Sequence, residues 1–270
     1  MLRTEMRNEK TTHIDTMTTQ QMLTVMQEEN LNAAMAVGAQ LNNIIAAVDG
    51  IYERMKQGGR LLYVGCGTSG RLAVVDASEC PPTYGVSPDL VIGIIAGGDK
   101  ALRTAAEGAE DSFESGYQEL KKYQLTEKDS LVGISAAGGA AYVLGAFAVA
   151  KEVGAFTVAI TSNAGSPMTE EAMVSICPDT GAEVVTGSTR MKAGTAQKLI
   201  LNMISTSVMV KLGHVYENFM INLRPTNQKL RKRMIFITSE IADVSLEEAE
   251  KLLENNAFSI RKAVEAYRNQ

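Results

Sequence analysis

The sequence predicts an α/β protein built on a doubly wound parallel sheet with helices on both faces, and three observations lead there. Short apolar runs rich in β-branched residues alternate with segments of helical periodicity. Two of those runs end in glycine-rich loops that open helices, Leu61 to Gly70 and Leu131 to Gly139. The runs are apolar at nearly every position rather than at alternate ones, as in strands covered on both sides.

In chain order, Thr18 to Gln57 reads as helix. Asn30 offers an internal N-cap, and Leu31, Ala34, Met35, Val37, Leu41, Ile44, Ile45 and Val48 recur at roughly helical spacing. Gly58-Gly59 stops it, and the strand Leu61 to Val64 runs into Gly65-Cys66-Gly67-Thr68-Ser69-Gly70. The helix that follows is expected to close at Pro81-Pro82, since prolines do not continue a helix. Further apolar runs lie at Leu90 to Ile95, Leu131 to Ser135, Thr157 to Thr161 and Val174 to Cys177, and Ala140 to Val153 is an alanine-rich helix. Ala193 to Leu212 reads as a long buried helix opened by Gly194-Thr195 and closed by Gly213. Ser245-Leu246-Glu247-Glu248 is a capping box, Asn255-Asn256 breaks its helix, and Phe258 to Tyr267 can form another. The expected organisation is an α/β domain with N-terminal helices over residues 1–243 and a small helical appendage over 244–270.

The chain has 270 residues with 45% apolar and 21% charged positions, the composition of an ordinary globular protein. Its formal net charge of -5 argues against a nucleic-acid partner, which calls for a basic face. Met1 to Met17 is polar and mixed in charge, and no apolar stretch reaches the length of a membrane span, so the expected location is the cytoplasm. Cys66, Cys80 and Cys177 are scattered, and His13 and His214 stand apart from them. Neither a disulfide framework nor a metal site is expected.

Ligands of open α/β sheets sit beyond the carboxyl ends of the strands, where both glycine loops fall. At the first, Gly67 lets the backbone approach an anion, Thr68 and Ser69 offer hydroxyls, and a helix N-terminus adds free N–H groups, which suits phosphate. Gly65-x-Gly67-x-x-Gly70 also fits the dinucleotide fingerprint, but the acidic residue expected about twenty positions on has no counterpart at a strand end. A purely structural turn is a third reading. Gly138 and Gly139 of the second loop can present backbone N–H groups to an anion. Glu79, just ahead of the two prolines, would sit near a helix C-terminus, where the dipole disfavours a carboxylate and favours the protonated acid, or else is a solvated surface glutamate. Glu107-Gly108-Ala109-Glu110-Asp111 is a second acidic cluster, where mutual repulsion could raise one carboxyl, though by default such a run is a solvated face. Thr186 to Thr195 crowds hydroxyls with Arg190 and Lys192 and suits an anionic sugar, or else a capping loop with its cations in solvent.

On Gly65 to Leu72, Asp76-Ala77-Ser78-Glu79-Cys80-Pro81-Pro82-Thr83, Glu107 to Asp111 and Gly181 to Lys198, the chain resembles the N-acetylmuramic acid 6-phosphate etherases, which have a sugar isomerase fold. The resemblance implies a three-layer sugar isomerase-like sandwich. It also implies a carbon–oxygen lyase of peptidoglycan amino-sugar recycling that splits the D-lactyl ether to N-acetylglucosamine 6-phosphate and D-lactate without cofactor or metal. Glu79 matches the family's proton donor and Glu110 its second catalytic glutamate; Gly67, Thr68, Ser69, Gly138, Gly139, Ser188, Thr189, Arg190 and Lys192 are the expected phosphosugar-binding residues. A homodimer with a shared site is implied as well. One stretch departs from the pattern: where such etherases carry Ala-Ser-Gly-Arg-Thr-Pro, this chain has Ala136-Ala137-Gly138-Gly139-Ala140-Ala141, without hydroxyls or arginine. That departure keeps open a non-catalytic phosphosugar-binding regulator, or an enzyme of altered substrate preference.

Overall fold

Thr18 accepts a hydrogen bond from the Gln21 N–H, and the Gln21 side chain closes the capping box; the helix it starts, α1 (Thr19–Gly38), leads the computed structural model, which describes residues 2–225 and 227–268. α2 (Leu41–Met55) follows after a bend of 57° at Ala39-Gln40. The single helix expected over Thr18 to Gln57 is therefore two, and Asn30 lies inside α1 rather than capping anything. The spacing of apolar residues runs through the bend, so periodicity alone could not place it.

β1 (Leu61–Gly65) and α3 (Gly67–Tyr84) form the first strand–loop–helix unit, followed by β2 (Val91–Ile95) and α4 (Phe113–Lys121). β3 (Ser130–Ile134), α5 (Ala141–Glu152), β4 (Phe156–Ile160), the short α6 (Pro167–Glu171), β5 (Val174–Ile176) and α7 (Lys192–Lys211) complete the α/β part. The five strands are all parallel in the order β2-β1-β3-β4-β5. β1, β3 and β4 are buried at every residue, as the unbroken apolar runs require. α5 covers one face, with Phe147, Val143 and Ala146 at its core and α4 packed behind it, while α2 covers the other. The doubly wound α/β fold expected from the sequence is the one observed.

Two places depart from local rules. α3 continues through Pro81 and Pro82 to Tyr84, so Glu79 stands more than a turn from the helix end, and the dipole argument for a protonated Glu79 does not apply. Cys80 and Tyr84, a turn apart, are both buried and hold that last stretch, and Gly85 ends it in the left-handed conformation with its N–H on the Pro81 carbonyl at 2.9 Å. The second concerns the organisation of the chain. The residues up to Ala77 with Asp89–Val208 form one compact unit, and Ser78–Pro88 with the chain from Met209 onward form another. The second unit holds the hairpin of β6 (Val215–Tyr216) and β7 (Phe219–Met220), then α8 (Gln228–Ala242), α9 (Leu246–Asn255) and α10 (Ile260–Arg268). Met234 and Ile237 of α8 share one core with Leu253, Ile260 and Val264, which is why this unit begins well before the expected appendage at 244–270; residues 269–270 of that appendage lie outside the described residues. The capping box at Ser245 and Glu248 forms as expected. Among the described residues, no single helix is long and apolar enough to cross a membrane.

In the first unit, α7 is fastened at its start. Both carboxylate oxygens of the fully buried Glu183 accept from the first helical N–H groups, of Lys192 at 2.9 Å and Ala193 at 3.0 Å. The Lys192 ammonium then pairs with Glu29 on α1, side chains only 4% and 5% exposed. Burial alone would raise the Glu29 carboxyl, but the Lys192 hydrogen bond and charge outweigh it and hold it below the ordinary value. Its stabilisation is therefore present above the unfolded-state value and disappears as pH falls through the lower folded one. Glu29→Gln is expected to cost about 3–5 kcal/mol at pH 7, because it strands a buried ammonium. Urea unfolding of both proteins should show the gap closing below about pH 4 as the wild-type carboxyl protonates.

Candidate active site

The β1–α3 turn is closed by contact between two glycines. A Cβ on Gly65 would stand 2.8 Å from the Gly70 nitrogen, and one on Gly70 2.6 Å from the Gly65 carbonyl oxygen, so a side chain at either position would force strand and helix apart. Gly67 has φ +52°, and α3 begins there with its first N–H groups beyond the end of β1. Strand order reverses between β1 and β3, the switch point at which open α/β sheets bind ligands.

A cavity of about 290 Å³ lies at that point. Its walls are Cys66 to Ser69 after β1, Ile134 to Ala137 after β3, Gly187 and Thr189 ahead of α7, and two carboxylates, Glu110 and Glu5. A second cavity of about 180 Å³ adjoins it, sharing Cys66, Gly67 and Glu110, and continues along Arg71 and the loop 105–109. Burial, reinforced by the charges of Glu110 and Asp111, pushes the Cys66 thiol up to about 12, so it stays protonated at neutral pH and is no nucleophile there. The chemistry available is carboxylate acid–base work beside a helix N-terminus that can hold an anion.

Of the residues expected from the sequence, Gly67, Thr68, Ser69, Thr189 and Glu110 are brought together around the larger cavity. The Ser69 hydroxyl donates to Gln197 on α7 at 2.9 Å, so Ser69 also fastens the loop to the long helix. Gly138, Gly139, Ser188, Arg190 and Lys192 do not line it. Lys192 is spent on Glu29, and the α7 N-terminus is filled by Glu183, so neither offers an anion a place. Arg190 is exposed, and Gly138 is buried against Ser166, whose Oγ would stand 2.1 Å from a Cβ there. Glu79 is exposed on α3 and lines neither cavity.

Two lining residues escape the sequence reading. Ser135, the first residue after β3, accepts the Gly138 N–H on its Oγ at 3.1 Å, which leaves its own proton to donate into the cavity. The second loop thus has a hydroxyl after all, one residue ahead of the stripped segment. Glu5 arrives on the N-terminal segment, whose Arg3 N–H donates to Asn163 at 3.0 Å while the Asn163 amide donates to Thr4 at 3.2 Å. Thr11 continues the strap by donating to the Val184 carbonyl at 2.8 Å.

Comparison with known proteins gives the family and the fold. Residues 43–151 match the family described as the glucokinase regulatory protein N-terminal SIS domain. The N-acetylmuramic acid 6-phosphate etherase of Clostridium beijerinckii is 51% identical over 97% of this chain and 86% of its own length. The protein of that name from Photobacterium profundum is 53% identical over 93% of this chain and 83% of its own. Among solved structures, a phosphoheptose isomerase from Francisella tularensis shares the fold with a TM-score of 0.56 at 18% identity, covering 72% of this chain and all of its own.

A hydrogen bond to a charged group is worth about 1.5–3 kcal/mol. Ser135→Ala is therefore expected to weaken phosphosugar binding by about tenfold to a hundredfold, measured as the inhibition constant of N-acetylglucosamine 6-phosphate, and to lower the melting temperature because the Gly138 N–H loses its acceptor.

Proposed function

Because the chain belongs to the N-acetylmuramic acid 6-phosphate etherase family, we propose that it cleaves the D-lactyl ether of N-acetylmuramic acid 6-phosphate, releasing N-acetylglucosamine 6-phosphate and D-lactate. The reaction runs by elimination and rehydration. In the open sugar the C2 proton is acidified by the neighbouring aldehyde; a base removes it, the lactyl oxygen leaves C3 with a proton from an acid, and water adds to the alkene. Glu110 is the base; Glu79, which lines neither cavity of its own chain, is the acid that a second copy supplies. The observation that supports Glu110 is its place on the wall shared by two adjoining cavities, together with Gly67 at the α3 N-terminus that suits the phosphate. A carboxylate cannot hold a phosphate dianion, so Glu110 and Glu5 serve the part of the substrate that donates protons.

The site is completed by a second copy of the chain. Leu31, Met35 and Ile45 on α1 and α2 are 56%, 65% and 56% exposed, an apolar surface of the kind that a subunit contact covers. The reaction belongs to the cytoplasm, where sugar phosphates are made and retained.

The first test is D-lactate release from N-acetylmuramic acid 6-phosphate by the purified protein; no release from folded protein would overturn the assignment. General acid–base groups typically contribute 10²–10⁴-fold, so Glu79→Gln and Glu110→Gln should each lower kcat by about that factor while the inhibition constant of N-acetylglucosamine 6-phosphate changes little. Met35→Glu should convert the dimer to a monomer in sedimentation equilibrium, and turnover should fall with it.

A further inference from the structure

Arg71 is the cation of the smaller cavity. Its Nε donates to the Leu102 carbonyl at 3.2 Å, which fixes the guanidinium plane, and among the described residues no carboxylate pairs with it. Such an unpaired, half-buried arginine stands out in a fold that neutralises Lys192 with Glu29 and the half-buried Arg60 with Asp129. Around it the wall is made of small methyl groups: Ala96, Ala101, Ala105, Ala106 and Ala109. Cys66, Gly67, Gly108 and two exposed carboxylates, Glu107 and Glu110, complete the lining. The chemistry of this pocket is a forked donor for a carboxylate beside a lining that accepts a methyl.

Resting on the reading above, we propose that this pocket is the lactyl subsite, in which Arg71 binds the lactyl carboxylate and the alanines receive its methyl. The lactyl group is a methyl and a carboxylate on one carbon, and it is the part of the substrate absent from the sugar product. Glu110 stands where the two cavities meet, so a sugar ring in the larger one with its lactyl arm in the smaller one puts the C2–H and the C3–O bond at the carboxylate that both share. After cleavage, D-lactate is left in a pocket of its own beside Arg71, clear of the sugar to which water must add.

The test compares a ligand that carries the arm with one that lacks it. For Arg71→Gln, kcat/KM for N-acetylmuramic acid 6-phosphate should fall about tenfold to a hundredfold, one charged hydrogen bond, while the inhibition constant of N-acetylglucosamine 6-phosphate stays within about twofold. D-lactate inhibition should weaken in parallel. Ala105→Phe, at an exposed position that tolerates bulk, fills the same pocket without touching the charge and should discriminate in the same way. Equal loss for both ligands would assign Arg71 to the phosphate or the sugar body, and no loss for either would empty the pocket of a role; each overturns the proposal. Wild-type protein that releases no D-lactate yet binds N-acetylglucosamine 6-phosphate would refute the etherase reading itself, a separate outcome.

Discussion

The contact of Gly65 with Gly70 is the constraint on which the site depends. With the strand end and the helix start this close, α3 begins directly above the sheet, and its first N–H groups open on the switch between β1 and β3. A helix displaced by even one methyl group would carry Thr68 and Ser69 away from the Ile134 to Ala137 wall and pull the Ser69 hydroxyl off Gln197. The second helix that could attract an anion, α7, is neutralised from within by Glu183. One helix end is kept for a ligand and the other is closed, which directs a phosphate to a single place.

That closure also explains how the loop ahead of α7 is held. Glu183 fixes the first turn, Lys192 ties it to α1 through Glu29, and the loop from Gly187 to Thr189 is then a wall of the cavity rather than a free segment. The buried ion pair shapes the site without touching it. Pairs of this kind contribute little net stability compared with apolar residues, but losing one partner is costly, so they enforce a particular arrangement.

The strands and the first glycine loop are legible in the sequence because their signals are local, an apolar run and glycines at fixed spacing; Glu110 stands out only through the family resemblance, since an acidic cluster alone reads as a solvated face. What is not legible depends on long-range pairing. Lys192 looks like a ligand for an anionic sugar because its neighbours are hydroxyls, while its partner Glu29 lies 163 positions away. Glu5 reaches the cavity only because Asn163 and Val184 hold the N-terminal strap, and nothing in the strap itself announces that. At Pro81-Pro82 the local rule was right about cost and wrong about outcome, since burial of Cys80 and Tyr84 prevails over the missing hydrogen bonds.

The second loop shows why a motif lost in sequence need not be a function lost in space. Read position by position, Ala136 to Ala141 lacks the hydroxyls of related etherases, and backbone groups alone would have to hold an anion there. Gly138 adopts φ +75°, which turns the chain so that its N–H reaches back to the Ser135 oxygen and holds that side chain at the cavity wall. The hydroxyl then comes from Ser135, the first residue after β3, instead of from Ala136 to Ala141. A hydroxyl whose oxygen is held by a backbone N–H is better preorganised than a free one, so the residue just past the strand supplies at the switch point what the segment after it does not.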